Sequence, residues 1–390
     1  MKNLTFTILL SVVACTTFAQ ISAKPEINSD QQTVSAGFSR AGAIRQIMNR
    51  YTTSGLPGVA VSVYSDKEGS WSGSSGYSDI TNRLPMSTSM LQYLQSVSKT
   101  YMAVAIMKLF EEGKIDLDAA VPKYLPEKHV RQLKGIDKIT IRMLLNHTSG
   151  LPEYSDNPAF VSFVMLHPKS VFNIEDALKY ISNEKLIFEP GSKHKYCNTN
   201  YLLLAMIADA ITGDHAAYID RIIFKKLGLR NTFYRKSPGY LNYKNLVHSY
   251  WDVLNTGRPA DITPLQIANV ATLKGDDGIV CTPEDAVIFL RGLAEGKLLK
   301  DSTFLQMQNW VNDDSGNPVY GLGLVRYEAL GLKGYGHSGG GIGAGCILVY
   351  VPEKKIYVFM ATNIGTLFGG NLAARANDMK NEILAALLID

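Results

Sequence analysis

The sequence predicts an α/β fold of the α+β type: an antiparallel sheet assembled from both ends of the chain, with flanking helices and a mainly helical region inserted between the two halves. Three observations lead there. Strand-like segments cluster near the start, beginning with GVAVSVYS at Gly58–Ser65, and they return beyond Tyr320. The long stretch between them places apolar residues at three- and four-residue spacing, the period of helices buried on one face. The composition, 46% hydrophobic and 19% charged over 390 residues, suffices for one large core or two moderate ones.

The opening MKNLTFTILLSVVACTTFAQ combines Lys2, an apolar run from Leu4 to Ala14 and small residues at Thr17 and Ala19. This is the pattern of a secretory leader, residues 1–19, cleaved after Ala19. Its apolar run is short of the roughly 20 residues that span a bilayer. Val12-Val13-Ala14-Cys15 also has the look of a bacterial lipoprotein box, which would leave a lipid anchor on Cys15; simple cleavage is the favoured reading. Residues 20–40 read as a flexible polar tail, and one domain fills 41–390.

Within that domain AGAIRQIMNRYTT puts Ile44, Ile47 and Met48 on one face of a helix. The strand Gly58–Ser65 follows, then a turn at Asp66–Gly69 and a second strand in SWSGSSGYSD. The helical insert covers about 91–310, with SKTYMAVAIMKLFEEGKI, TNYLLLAMIADAITG and TPEDAVIFLRGLAEGKL as its clearest helices, ending at Gly113, Gly213 and Gly296 as helix C-termini commonly do. YGLGLVRYEA, KGYGHSG, GAGCILVYVPE and KKIYVFMATN then restore the strand pattern, and a last helix runs from about Ala373 to Leu388. No repeat is visible, and no apolar run after the leader is long enough for a transmembrane span.

Charge and cysteine content exclude other classes. Loss of Lys2 with the leader lowers the formal charge only from +4 to +3, too small an excess to point to nucleic acid or an anionic surface. Cys197, Cys281 and Cys346 remain, an odd number that allows at most one disulfide and so no disulfide framework. No histidine pair with a third ligand has metal-site spacing, and no glycine-rich loop with Lys-Ser/Thr follows a strand. No cofactor is expected.

Two serines compete for the chemistry. Gly336-His337-Ser338-Gly339-Gly340 spells G-x-S-x-G, the nucleophile elbow of lipases, but the elbow needs a helix after the serine and a histidine further on. A strand follows instead, and His337 is the last of the 7 histidines. The better candidate is Ser96 in QSVSKTYMAVAIMKLFEEGKI. Lys99 lies three residues on at the start of a helix, so the two side chains share a face about 5 to 6 Å apart at Cβ. A buried lysine with a lowered pKa can take the proton that keeps a hydroxyl a poor nucleophile. Alone, Ser96 reads as a helix cap and Lys99 as a solvated cation. Tyr196 and Asn198, two apart in an extended stretch before an apolar helix, add a phenol to carry protons and an amide to hold both a substrate carbonyl and the lysine. His337, Ser338, Gly339 and Gly340 are expected on an edge strand, where glycine lets a substrate backbone approach and the Gly340 N–H joins the Ser96 N–H around a developing oxyanion.

Ser96-Val97-Ser98-Lys99, Tyr196-Cys197-Asn198 and His337-Ser338-Gly339, in that order, resemble the serine β-lactamase and penicillin-binding-protein superfamily, most closely its class C β-lactamase-related branch of DD-carboxypeptidases, D-aminopeptidases and esterases. GLPGVAVSVY, LLNHTSGLPEY, GDDGIVCTPEDAVIFL and GHSGGGIGAG support the match from about Gly55 to Asn363. The resemblance implies a β-lactamase/transpeptidase-like fold and an acyl-enzyme mechanism on peptide, amide or ester bonds. Ser96 is then the nucleophile, Lys99 its base, Tyr196 a proton relay and Asn198 a substrate ligand. The implied partners are small peptide, amide or ester substrates, among them a cell-wall stem peptide or a β-lactam. His337 stands where family β-lactamases carry lysine, and a mostly neutral imidazole weakens capture of a substrate carboxylate. Cys197 reads as a tolerated small residue, His147 as structural and His194 as a loop residue near the pocket. A non-catalytic binder of this fold would show a broken motif, and all three are intact apart from the histidine.

Overall fold

The computed structural model describes residues 37–171, 173–234 and 240–389. The expected leader, Cys15 and most of the polar tail lie outside them. Helix α1 (Ala41–Thr53) buries Ile44, Ile47 and Met48, the face its spacing predicts. It packs on a hairpin of β1 (Gly58–Ser65) and β2 (Gly69–Asp79). At the far end of the chain come β3 (Val325–Ala329), β4 (Leu332–Gly340), β5 (Gly345–Val351) and β6 (Ile356–Thr362), followed by a terminal helix at Asn371–Leu388, which starts before the expected Ala373.

The two ends meet in one antiparallel sheet. β1 pairs with β6 from Val59↔Thr362 to Ser65↔Ile356, giving the order Leu84–Pro85, β2, β1, β6, β5, β4, β3, Pro318–Tyr320, Val311–Asn312. The two-residue period of a strand divides the side chains between two cores. Val59, Val61, Val63 and Met360 pack with Ile44, Met48 and Ile383 under the terminal helices, while Tyr357, Phe359 and Ala361 face the insert.

The insert contributes α2 (Ser98–Glu111), α3 (Pro158–Leu166), α4 (Asn198–Thr212) and α5 (Pro283–Ala294). α2 is buried without a break from Ser98 to Met107, and α4 from Thr199 to Ala208, so these two helices are enclosed on every side rather than on the one face their spacing suggests. The insert is not purely helical: Gln92–Tyr93, Val280–Cys281 and Thr232–Phe233 form a small sheet beside it. Nor is YGLGLVRYEA one strand. Gly323 turns the chain with φ +78°, and a Cβ there would sit 2.2 Å from the Ala103 Cβ, so the run divides where it presses against α2. Among the described residues no single helix is both long and apolar enough to cross a bilayer, and no group of three or more His, Cys, Asp or Glu is placed to hold a metal ion. Cys197, Cys281 and Cys346 are all buried and unpaired.

Candidate active site

A 3-10 turn at Gln95–Val97 runs directly into α2 and presents Ser96 one helical turn before Lys99. The Lys99 Nζ donates to the Ser96 Oγ at 3.0 Å and to the Asp276 carbonyl oxygen at 2.8 Å. Lys99 is 0% exposed, so burial lowers its pKa, against the opposing pull of Asp276, Asp277 and Glu153. The sequence reading gave the task of holding this lysine to the Asn198 amide; the Asp276 carbonyl performs it instead. That carbonyl is delivered by the turn Gly275-Asp276-Asp277-Gly278. Gly275 has φ +82°, and a Cβ there would meet the Tyr201 carbonyl at 2.4 Å, so only glycine lets this turn close on α4.

Tyr196 and Asn198 flank Cys197, whose backbone is extended, at the start of α4. The Tyr196 ring centroid lies 5.1 Å from the Lys99 Nζ. Tyr196 is 37% exposed as a residue, but burial around its phenol, reinforced by Asp276, Glu153 and Asp277, raises the pKa well above its usual value, against a hydrogen bond with Ser96. The phenol therefore keeps its proton in the resting protein. Asn198 is the first residue of α4 and lines the cleft, and its backbone N–H donates to the Glu153 carboxylate, which occupies the positive end of the helix.

Strand β4 is an inner strand only up to Gly336, which pairs with Val325 at the start of β3. From His337 to Gly340 it pairs with β5 alone, so the expected edge exists locally. Alternation then sorts the four residues. Ser338 and Gly340 are exposed at the cleft, while His337 and Gly339 are buried. Gly339, counted from the sequence among the substrate-binding residues, faces the packed side of the strand instead. A Cβ there would lie 2.5 Å from the Leu94 carbonyl and 2.8 Å from the Cys346 Sγ, so the missing side chain makes room for the turn that carries Ser96.

His337 is 2% exposed and both ring nitrogens are engaged. Nδ1 donates to the Ser338 carbonyl at 2.6 Å, which leaves Nε2 to accept from the Tyr320 hydroxyl at 2.8 Å. Burial first, then Lys99, lowers its pKa to about 3. The ring is neutral through the physiological range and offers no cation to a substrate carboxylate.

His147 is also buried. Its Nδ1 accepts from the Cys197 N–H at 3.2 Å and the Asn200 amide at 3.1 Å, and its ring lies 4.3 Å from that of Tyr196, so it packs behind the tyrosine. Burial holds its pKa well below the imidazole range. His194 stacks on Tyr320 at 5.7 Å beside the same group. Cys197 is buried, and burial raises its thiol pKa, which leaves it protonated and unsuited to act as a nucleophile.

These groups surround a cleft of about 590 Å³. Its floor carries Ser96, Tyr196 and Asn198, and its outer walls are apolar, from Phe160, Val164 and Met165 on α3 to Leu367 and Phe368 after β6. Glu153, Asp156, Asp276 and Asp277 also line it, and among the described residues that line it there is no lysine or arginine. A groove of about 680 Å³ beside His248 and Asp261 is larger but holds none of the candidate residues. Sequence reasoning missed Glu153, Asp276, Asp277 and Tyr320. The two glycines around Asp276-Asp277 were the available signal, because such a pair marks a tight turn held against something.

The family model described as Beta-lactamase matches residues 41–379. The chain belongs to the beta-lactamase family. Within that family a penicillin-binding protein of Bacillus subtilis is 27% identical over 302 residues, covering 73% of this chain and 64% of its own length. The human mitochondrial serine beta-lactamase-like protein is 24% identical over 77% of this chain and 70% of its own. Among solved structures, a D-stereospecific amidohydrolase from Streptomyces superposes with TM-score 0.75 at 24% identity over 89% of this chain and 98% of that one. The D-amino acid amidase from Ochrobactrum anthropi bound to D-phenylalanine reaches TM-score 0.77 at 22% identity, with the same shares covered. At these identities the structural neighbours establish the fold. The beta-lactamase-family chain thus carries the serine-hydrolase fold of the β-lactamase and penicillin-binding-protein superfamily, as its three motifs led one to expect.

Proposed function

We propose that this protein is a serine hydrolase that works through an acyl-enzyme on Ser96, with peptide, amide or ester substrates. The observation that supports this reading most is the fully buried Lys99 amine 3.0 Å from the Ser96 hydroxyl. A lysine with a lowered pKa accepts the serine proton as the oxygen attacks the scissile carbonyl, and the Ser96 and Gly340 N–H groups receive the oxyanion. Tyr196, neutral in its ring of carboxylates, hands a proton to the leaving nitrogen or oxygen and is reprotonated from Lys99. Water then attacks the acyl carbonyl and gives a proton to the same pair, which passes it to the Ser96 oxygen as the acyl C–O bond breaks, releasing the acid and restoring the Ser96 hydroxyl.

The superfamily resemblance suggests a DD-carboxypeptidase acting on stem peptides, with an esterase or weak β-lactamase as the runner-up. The cleft favours a related substrate. Four acidic residues and no lysine or arginine among the described residues that line the cleft, together with a neutral His337, favour an amine over a terminal carboxylate. D-amino-acid amides and amino-terminal D-peptide bonds therefore fit better than carboxylate-ended peptides or β-lactams. The leader-like opening favours export to the periplasm or medium, where such peptides occur.

A fluorophosphonate probe, mapped by peptide mass analysis beside Ser96→Ala, tests the nucleophile; label on Ser96 that the variant lacks is expected. Comparison of D-alanine amide with its N-acetyl derivative tests the amine. A kcat/KM at least about tenfold higher for the free amine, a difference of about 1.4 kcal/mol, is expected. Equal rates would sink the substrate assignment.

A further inference from the structure

Gln95, the residue before the nucleophile, is held at φ +48°, a left-handed conformation that a side-chain-bearing residue adopts only under constraint. It is 1% exposed, yet its Nε2 has no hydrogen-bond partner, and the residue lines the cleft. Two glycines across from it are hollowed to its shape. A Cβ on Gly339 would meet the Gln95 Cβ at 2.8 Å, and a Cβ on Gly341 would meet the Gln95 amide oxygen at 2.3 Å and its nitrogen at 2.8 Å. The side chain therefore runs from the nucleophile turn along the free edge of β4, past the proposed oxyanion position at Gly340, to the turn that leads into β5.

A strained backbone and an unsatisfied buried amide both cost stability. The unpartnered amide is explained if it is reserved for a ligand that reaches it from the cleft. We infer that Gln95 is a substrate-binding residue whose side-chain amide recognises a peptide group flanking the scissile bond. A primary amide offers a donor and an acceptor side by side, which matches the C=O and N–H of a peptide group whichever way the amide is turned. Its place beyond Gly340 puts this contact one step along the substrate from the attacked carbonyl. The enzyme then prefers substrates that continue as peptide past the reacting bond over simple esters, a selectivity that rests on the hydrolase reading above.

The test compares D-alanyl-D-alanine amide, which has a flanking peptide group, with p-nitrophenyl acetate, which has none, on wild type, Gln95→Glu and Gln95→Gly. Gln95→Glu keeps the shape and removes the donor; Gln95→Gly suits the left-handed backbone and protects against a folding artefact. In both variants the ratio of kcat/KM for peptide over ester is expected to fall at least about tenfold, with the Tm of Gln95→Gly equal to or above wild type. A ratio that stays constant, whether or not both rates fall, would mean a purely structural role and overturn the assignment. Fluorophosphonate labelling of Ser96 in wild type separates the two layers. Label without peptide hydrolysis overturns the role of Gln95 alone, and absence of label overturns the hydrolase reading together with it.

Discussion

The two walls of the cleft are built on opposite principles. The insert wall is ionic and crowded, with Lys99 buried under Ser96 and Glu153, Asp276 and Asp277 acting on its charge. The sheet wall is neutral and almost bare: His337 locked between Tyr320 and its own strand, then Ser338 and three glycines. Groups that exchange protons need a tuned electrostatic setting, which side chains converging from distant segments supply. Groups that hold an oxyanion need fixed position, which a strand supplies through its backbone, provided nothing on that strand introduces a competing charge.

The largest effect is expected from breaking the ionic wall at its centre. Lys99→Met should lower kcat/KM about a thousandfold with the fold retained, measured as turnover against the circular dichroism spectrum. A loss below about tenfold would transfer the base role to another group.

Gly339→Ala tests the neutral wall. Its Cβ would press on the Leu94 carbonyl and displace the Ser96 turn from the oxyanion strand, at an expected cost of about 1–3 kcal/mol in stability and about a hundredfold in kcat. Unfolding midpoints and initial rates report the two effects separately.

The buried imidazole of His337 ties this wall to pH. Its folded pKa, about 3, lies below the unfolded value of about 6.5, so the unfolded chain binds the extra proton first. Its contribution is complete above about pH 6.5 and is lost as pH falls toward 3, by about 1.4 kcal/mol per unit. The stability difference between wild type and His337→Gln, followed by chemical denaturation, should shrink with that slope. A flat difference would mean that the folded ring takes up its proton at about pH 6.5, as in the unfolded chain.

A subtler change sharpens the comparison from the ionic side. The Asp276 carboxyl, raised by burial to about 6, still favours the lysine cation when ionised. Asp276→Asn removes that support, so the Lys99 pKa falls further and neutral base persists at lower pH. The acid limb of kcat/KM, which rises with pH as the lysine loses its proton, should move to lower pH. Smallest is Phe368→Ala on the outer wall, where the ring packs 5.2 Å from Trp251. Loss of this apolar surface should reduce kcat/KM for D-phenylalanine amide a few-fold more than for D-alanine amide, about 1 kcal/mol.

Sequence by itself determined the fold class and the sheet built from both chain ends, and it singled out Ser96, Lys99, Tyr196, Asn198 and Gly340 as candidates through their resemblance to the family's motifs. The strands and helices follow from local rules, the two-residue period of strands and the three-to-four spacing of helices, and the pairing of Ser96 with Lys99 from their lying within one turn of each other. Tertiary structure alone decided what surrounds them. The carbonyl that anchors Lys99 lies 177 residues along the chain, and Glu153 reaches the start of α4 across 45. The same holds for His337, Gly339 and Gln95. Whether a histidine is a cation or a locked neutral ring, whether a glycine serves substrate or packing, and whether a glutamine is strained all depend on neighbours that no periodicity encodes, because burial and charge are set by segments meeting in space.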